Sequence, residues 1–336
     1  KIAINDFSKI CHLINIDIKK TNPLSILNSI SMGLNKIGTF IQHKKPELVV
    51  LLGDRYEMLS AAIGSIYNNV KIVHIHGGEV TTGSIDDTIR HAITKFSDFH
   101  FVSTDTYKKR VIQMGENPRN VFNVGALGAE NAKNMKLINK KELQKTLSIK
   151  FSKYNFLITI NSFIEEKFTI ESLLKNFFFA LKKFKNTSFI FTMPNSDLKS
   201  DFIKSEILKF CKKNKNCYFF KFMGSKNYLS CIKVCDLVLG NSSSGILEAP
   251  TLNTATVNIG DRQNGRVQAN SIINSENSSK EIYNSIKKSL SSNFKNKIKK
   301  TKNPYFKKNT AANIVKIIEK NILNKRNKPK EFYDIK

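Results

Sequence analysis

The chain has 336 residues, 40% of them hydrophobic and none tryptophan, with a formal net charge of +28. That length is enough for two domains with full cores, and no stretch approaches the roughly 18 uninterrupted apolar residues of a membrane span. The opening, KIAINDFSKICHLINIDIKK, is too polar for a signal peptide, and a lysine at position 1 reads as a fragment or a processed form.

In chain order, short apolar runs alternate with helical patterns. Strands are expected at 47–53, 70–76, 98–103, 121–124, 155–160, 188–192, 217–222, 236–240 and 254–259. Most are continuous, β-branched or aromatic runs, as strands buried on both faces of a parallel sheet are. Helices are expected at 24–42, 56–67, 85–97, 104–114, 169–185, 198–214, 226–235, 244–249, 278–290 and 309–323. The βαβα order predicts an α/β, doubly wound architecture. Nine or more parallel strands sit poorly in one sheet, so two Rossmann-like lobes are expected, 1–140 and 141–336. The polar, lysine-rich and helical stretch 128–150 holds the boundary. The last ten residues read as a loose tail.

The charge does not by itself name a partner. Of 55 basic residues only seven are arginine, and the lysines are spread along the chain among asparagines. A drift toward Lys and Asn explains this, so nucleic acid is not expected as a partner. Arg55, Arg90, Arg262 and Arg266 stand apart, in glycine-containing segments where strands end. Guanidinium is the better bidentate partner for phosphate. Cys11, Cys211, Cys217, Cys231 and Cys235 are odd in number and scattered, which argues for reduced thiols and a cytoplasmic protein rather than a disulfide framework. No His follows residue 100 to complete a zinc site with Cys231 and Cys235.

In open parallel sheets, ligands bind beyond the carboxyl ends of the strands. Three segments fall there. In LLGDRYEML, Asp54 stands at a helix start, where an N-cap is the plain role. In HIHGGEVTTGSIDDTIRHAITK, His74 and His76 alternate on a strand and are expected on one face. A metal pair is one reading; one imidazole bonded in the sheet and the other lining a cleft is the blander one. Gly77 and Gly78 permit close backbone approach. Glu79, Asp86 and Asp87 follow, with Ser84 as a cap, and Asp86/Arg90 and Asp87/His91 are i,i+4 pairs. Several carboxylates on one cleft suit acid/base chemistry, one ionised while another is protonated. In LVLGNSSSGILEAP, small hydroxyl residues at a helix start make an anion site suited to diphosphate, and Glu248 can accept ribose hydroxyls. Arg266, in NIGDRQNGR, is a candidate diphosphate partner. There is no G-x-S-x-G elbow, no Walker pattern and no G-x-G-x-x-G.

Together, LGDRYEMLSAA, the His74–Lys95 stretch, VFNVGALGAEN, GNSSSGILEAP and NIGDRQNGR resemble the hydrolysing UDP-N-acetylglucosamine 2-epimerases, in the branch serving sialic and legionaminic acid synthesis. The resemblance spans residues 25 to 275. It implies two Rossmann-like lobes of the glycosyltransferase-B type with an incomplete N-terminal lobe, a last helix packing back on that lobe, and a homodimer. It also implies elimination of UDP to a glycal and hydration to the free C2-epimer, without metal or redox cofactor. Asp54, Glu79, Asp86, Arg90 and His91 would be catalytic. His76, Asn241, Ser242, Ser243, Glu248 and Arg266 would bind the UDP-sugar. Two departures stand out. The family's first strand, with its Gly-Thr-Arg or Gly-Ser-Arg turn, is absent, and Asn161 stands where the family carries His. They leave room for an impaired UDP-sugar-binding relative. A glycosyltransferase on the same fold is a third reading, without a distinctive acceptor site.

Overall fold

Two all-parallel sheets form from the apolar runs in the computed structural model, which describes residues 11–16, 22–82, 84–164, 167–322 and 329–335. The first sheet has strands β1 (Leu48–Leu52), β2 (Lys71–Ile75), β3 (Phe99–Val102) and β4 (Val121–Asn123), in that order. Helices α1 (Pro23–Lys44), α2 (Tyr56–Tyr67), α3 (Asp86–Phe96), α4 (Asp105–Gln113) and α5 (Leu127–Asn134) lie between or beside them. Local chemistry sets the helix starts. Asn22 Oδ1 accepts the Ser25 amide at 2.9 Å ahead of Pro23, and Thr104 Oγ1 caps α4 from Tyr107 N. Among the described residues β1 is an edge strand, with Val50 and Leu52 about half exposed.

The second sheet holds β5 (Tyr154–Thr159), β6 (Thr187–Thr192), β7 (Cys217–Phe220), β8 (Leu237–Gly240), β9 (Ala255–Ile259) and β10 (Ile272–Ser275), ordered β10-β9-β8-β5-β6-β7. This is doubly wound, and the strand order reverses between β5 and β8. Gly240 closes that point with φ +127°; a Cβ there would meet Thr159 O at 2.0 Å. The helices are α6 (Lys140–Leu147), α7 (Ile170–Leu181), α8 (Ser200–Lys213), α9 (Ser225–Val234), α10 (Ser244–Leu247), α11 (Ser279–Leu290) and α12 (Ser292–Ile298). Phe156, Phe177, Phe189, Phe191 and Phe210 fill one face of this sheet.

After α12 the chain returns to the first sheet. Tyr305 O accepts the Ala126 amide at 2.8 Å, and α13 (Thr310–Ile317) packs Ile314 against Val73, Ile75, Phe99 and Phe101.

Several expectations change. The stretch 128–150 is two helices, α5 and α6, because Met135, Leu137 and Ile138 between them pack into the second core. β10 and α12 were not expected; IINS and SNFKNKI are too polar and short to stand out. Position 323 of the last expected helix lies outside the described residues, and α13 ends in a π turn, Ile318–Ile322. The tail is not loose over 329–335. Lys330 Nζ donates to Lys95 O and Ser97 O at 2.7 and 2.6 Å, and Tyr333 N donates to Gly115 O at 2.9 Å. The carbonyls ending α3 offer a cation site that the tail fills.

Candidate active site

The carboxyl ends of both sheets face one cleft. Gly53 ends β1 with φ +83° and presents Asp54. Asp54 does not cap α2: the cap position is Arg55, which makes no side-chain cap bond. The Asp54 carboxylate instead accepts from Arg90 Nη2. Arg90, 1% exposed, also donates from Nη1 to Glu79 O at 2.9 Å, Thr81 Oγ1 at 3.2 Å and Asp87 Oδ1 at 3.0 Å. A buried guanidinium with this many acceptors fixes the loop between β2 and α3. The Asp86/Arg90 pairing expected from spacing is replaced by Asp87/Arg90, one residue closer. The cap position of α3 is Ile85, which makes no side-chain cap bond; Ser84, one residue earlier, accepts the Asp86 amide on Oγ at 3.4 Å and reaches Asp86 Oδ2 at 3.3 Å.

The two histidines part company. His74 is buried in β2, with Nδ1 at 3.1 Å from Thr94 Oγ1 and Nε2 at 2.8 Å from Gly53 O. Burial pushes its pKa down to about 3, so it is a neutral structural imidazole. His76 follows the strand with φ +70°, which breaks the alternation, and its Nδ1 meets Glu79 Oε1 at 2.7 Å.

Glu79 and Asp86 have opposite environments. Glu79 is buried, accepts from Ser103 Oγ at 2.8 Å, and lies 2.8 Å from Arg266 Nη1 across the cleft. Burial alone would raise its pKa; Arg266, His76 and Arg90 outweigh it and hold the carboxyl well below the usual range. Asp86 is 8% exposed, and burial, then Asp54 and Asp197, push it up to about 6 against Arg55 and Arg262.

The opposite wall comes from the second sheet. Asn241 Oδ1 accepts Asn161 N at 2.7 Å and Asn241 Nδ2 donates to Asn161 O at 2.9 Å, so this side chain stitches β8 to β5 rather than facing the cleft. Ser242 Oγ lies 3.2 Å from Ser244 Oγ, which also bonds Tyr228 OH. Asn161 Oδ1 accepts Asn195 N at 2.9 Å. Glu248 lies against Gly128 at the start of α5, where a Cβ would come 2.4 Å from Oε1. Its Oε2 is enclosed without a hydrogen-bond partner, and burial pushes its pKa up to about 7.

Between the walls is a cavity of about 130 Å³. Asp54, Asp86 and Arg90 line it from one side; Ser242, Ser243 and Arg266 line it from the other. Glu79 and His76 stand behind this lining through the contacts above. His91 is not part of it; its Nε2 is 3.6 Å from Asp87 Oδ2. Ser103, Asn195 and Asp197 were missed, although each lies just past a strand end, in the position that marked the other site residues.

The description UDP-N-acetylglucosamine 2-epimerase belongs to the family model that matches residues 3–319. The chain belongs to this family. It is 41% identical over 335 residues to the polysialic acid biosynthesis protein P7 of Escherichia coli, across 99% of this chain and 85% of that protein. It is also 41% identical over 269 residues to the Campylobacter jejuni GDP/UDP-N,N'-diacetylbacillosamine 2-epimerase (hydrolyzing), across 80% and 70%. Among solved structures, the Methanocaldococcus jannaschii UDP-GlcNAc 2-epimerase in complex with UDP-GlcNAc and UDP superposes with a TM-score of 0.76 at 17% identity, over 95% of this chain and 87% of that one. That likeness is one of fold, and the glycosyltransferase-B type architecture is the family's. Among the described residues no helix is long and apolar enough to cross a membrane.

Proposed function

We infer that this chain is a hydrolysing UDP-sugar 2-epimerase. It releases UDP and the free C2-epimer of a 2-acetamido sugar, so it combines hydrolase and isomerase chemistry. The observation that carries the reading is the pair of carboxylates split by environment, Glu79 held ionised and Asp86 held near pH 6, on a cleft whose other wall offers hydroxyls and arginine. Residues 1–140 carry the proton chemistry and 141–336 the nucleotide, with α13 returning to the first lobe.

The chemistry balances without a redox step. A base removes the C2 proton as the C1–O bond breaks, and its electron pair leaves on UDP. The glycal that results adds water, OH to C1 and H to C2 on the opposite face. Asp86 lines the cavity with a pKa about 6 and is the group assigned to hold the proton. Asp54 and Arg90 fix its helix, with His91 in a supporting place beside Asp87. Glu79, held by His76, orients Arg266 toward the departing diphosphate. Ser242 and Ser243 meet the diphosphate, and the unpaired Glu248 oxygen accepts ribose hydroxyls.

The relatives point to UDP-N,N'-diacetylbacillosamine or UDP-N-acetylglucosamine as substrate. NMR of UDP and the sugar product with each in turn tests the reading. UDP plus a C2-inverted free sugar is expected. Saturable binding without UDP release would overturn turnover and leave the UDP-sugar-binding relative, which the assembled acid cluster disfavours. A homodimer in the cytoplasm, without nucleic acid, completes the proposal. Light scattering at twice the chain mass checks the dimer.

A further inference from the structure

Val267 belongs to neither sheet, and both polar groups of its backbone go to tyrosine hydroxyls. Its amide donates to Tyr107 OH at 3.0 Å, and its carbonyl accepts from Tyr305 OH at 2.8 Å. The two hydroxyls lie 2.6 Å apart. Each phenol has one proton. The Tyr305 proton goes to the Val267 carbonyl, which can only accept, so the Tyr107 proton goes to the Tyr305 oxygen. The result is a closed, directed circuit: Val267 N–H to Tyr107, Tyr107 to Tyr305, Tyr305 back to Val267 O. Burial raises the pKa of both phenols, helped by Glu79 at Tyr107 and by Tyr107 and then Glu79 at Tyr305. Both protons therefore stay in place.

The three residues come from three parts of the chain. Tyr107 lies in α4 of the first lobe, Val267 between β9 and β10 of the second, and Tyr305 in the segment that returns after α12. Both tyrosines are fully buried in one core cluster with Val102, Ala126 and Ile246, and Val267 packs against it. Phenylalanine would fill this space equally well. Two hydroxyls out of reach of water are costly unless they are bonded, and here they are bonded to one peptide. Tyr305 is itself fixed: its amide donates to Asn303 Oδ1 at 3.0 Å, and Asn303 Nδ2 donates to Leu247 O at 2.7 Å.

Val267 directly follows Arg266. The Arg266 guanidinium has Nη1 at 2.8 Å from Glu79 Oε2, while its Nε is enclosed without a hydrogen-bond partner. Its placement therefore leans on the backbone that carries it. On one side that backbone is set by Gly265, with φ +84°, where a Cβ would come 2.5 Å from Val80 Cγ1. On the other it is set by the hydroxyl circuit at Val267. The Tyr107 backbone also supports the Glu79 turn: a Cβ on Gly78, with φ +74°, would come 2.7 Å from Tyr107 O. One tyrosine thus stands behind both partners of the Glu79–Arg266 pair.

We propose that Tyr107 and Tyr305 are positioning residues: their hydroxyls hold the Val267 peptide and so fix the angle at which the Arg266 guanidinium meets the departing diphosphate. This rests on the proposed function, which puts Arg266 against that diphosphate. A guanidinium is a planar fork, so its orientation matters; an ammonium on a flexible stem is a point charge, so its orientation does not.

That difference supplies the test, a double-mutant cycle on UDP release with wild type, Tyr107→Phe, Arg266→Lys and the double variant. A misplacement of about 1 Å can cost on the order of 100-fold, and one bond lost from the circuit leaves part of the support, so kcat of Tyr107→Phe is expected to fall about tenfold. KM should change less than about threefold, because the charge that Arg266 meets develops as UDP departs. Beside Arg266→Lys, the same Tyr107→Phe change should lower kcat less than about twofold, because the fork it orients is gone. Equal losses in both backgrounds would make Tyr107 a packing residue and overturn the proposal, as would an unchanged kcat in a folded Tyr107→Phe. Tyr305→Phe removes the bond to Val267 O instead and should show the same dependence on Arg266. It decides the matter should Tyr107→Phe fail to fold by circular dichroism. A wild type that releases no UDP from either UDP-sugar would sink the functional reading and the positioning role with it. An active wild type with equal losses would sink the positioning role alone.

Discussion

The two ends of the first sheet both bury carboxylates, and they treat them differently. At the amino end, Glu116 is 2% exposed with a cation or imidazole on each oxygen: Lys95 at 2.5 Å on Oε1, His100 and Lys330 each at 2.9 Å on Oε2. Burial would raise its pKa, but those three partners outweigh it and lower it. At the carboxyl end, Asp86 has a serine hydroxyl at 3.3 Å and faces two other carboxylates, and its pKa rises to about 6. A compensated carboxylate is an anchor. An under-compensated one beside a cavity is a proton carrier. Similar burial therefore has opposite uses, and the difference lies in the partners.

The sharpest break of this contrast is Asp86→Asn. It is expected to lower kcat/KM by about 10²- to 10⁴-fold, the range for a lost acid/base group, measured as UDP release. The melting temperature should hold or rise, since a buried repulsive charge is removed. A large fall in both would place Asp86 with the anchors. In wild type the acid limb of kcat/KM should lie near pH 6. The stability signs are opposite at the two ends. Asp86 is raised above 3.8, so its contribution favours the fold at low pH and fades as pH rises through about 6. Glu116 is lowered below 4.5, so its contribution is present above that pH and is lost on acidification. Glu116→Ala is the matching break at the other end. It should cost about 1 to 3 kcal/mol, chiefly by leaving the buried His100 imidazole without its hydrogen-bond partner, read by urea unfolding, with kcat/KM within about twofold of wild type. Unaltered stability would deny the anchor. Between these lies Tyr305→Phe. Tyr305 OH bonds Tyr107 OH at 2.6 Å and Val267 O at 2.8 Å, beside Arg266. Its loss should cost about 1 kcal/mol by thermal unfolding.

Much of this contrast was legible in the sequence at one end and almost none at the other. The strand runs from β1 to β9 follow from continuous apolar stretches. The carboxyl-end rule then placed Asp54, Asp86 and Ser242 on one cleft. What failed was side-chain partnering. Spacing paired Asp86 with Arg90, yet the Arg90 guanidinium reaches Asp54, 36 residues away, and Asp87. Strand alternation put His74 and His76 together, yet a positive φ at His76 turned it to Glu79. Asn241 read as a ligand contact and serves as a backbone stitch. Asn161 holds the Asn195 amide, 34 residues on, which no local spacing announces. Asp197 and Glu116 were invisible because their partners are 142 residues and up to 214 residues distant in the chain. Periodicity carries local facing; it carries nothing about which loop of another sheet arrives opposite.

The smallest expected effect sharpens the anchor end. Lys330 reaches Glu116 from the carboxyl-terminal tail, with its side chain 27% exposed. Burial lowers its pKa, and Glu116 opposes that. Lys330→Met keeps the apolar stem and removes the charge. Glu116 would keep Lys95 and His100, so the loss should stay under about 1 kcal/mol, the scale of a partly exposed ion pair. kcat should not change. Amide exchange at Tyr333 should rise, because its bond to Gly115 O depends on the tail staying seated. A loss equal to that of Glu116→Ala would mean that the tail, and not Lys95 and His100, holds the buried carboxylate. The anchor would then be a tertiary strap rather than a property of the sheet end itself.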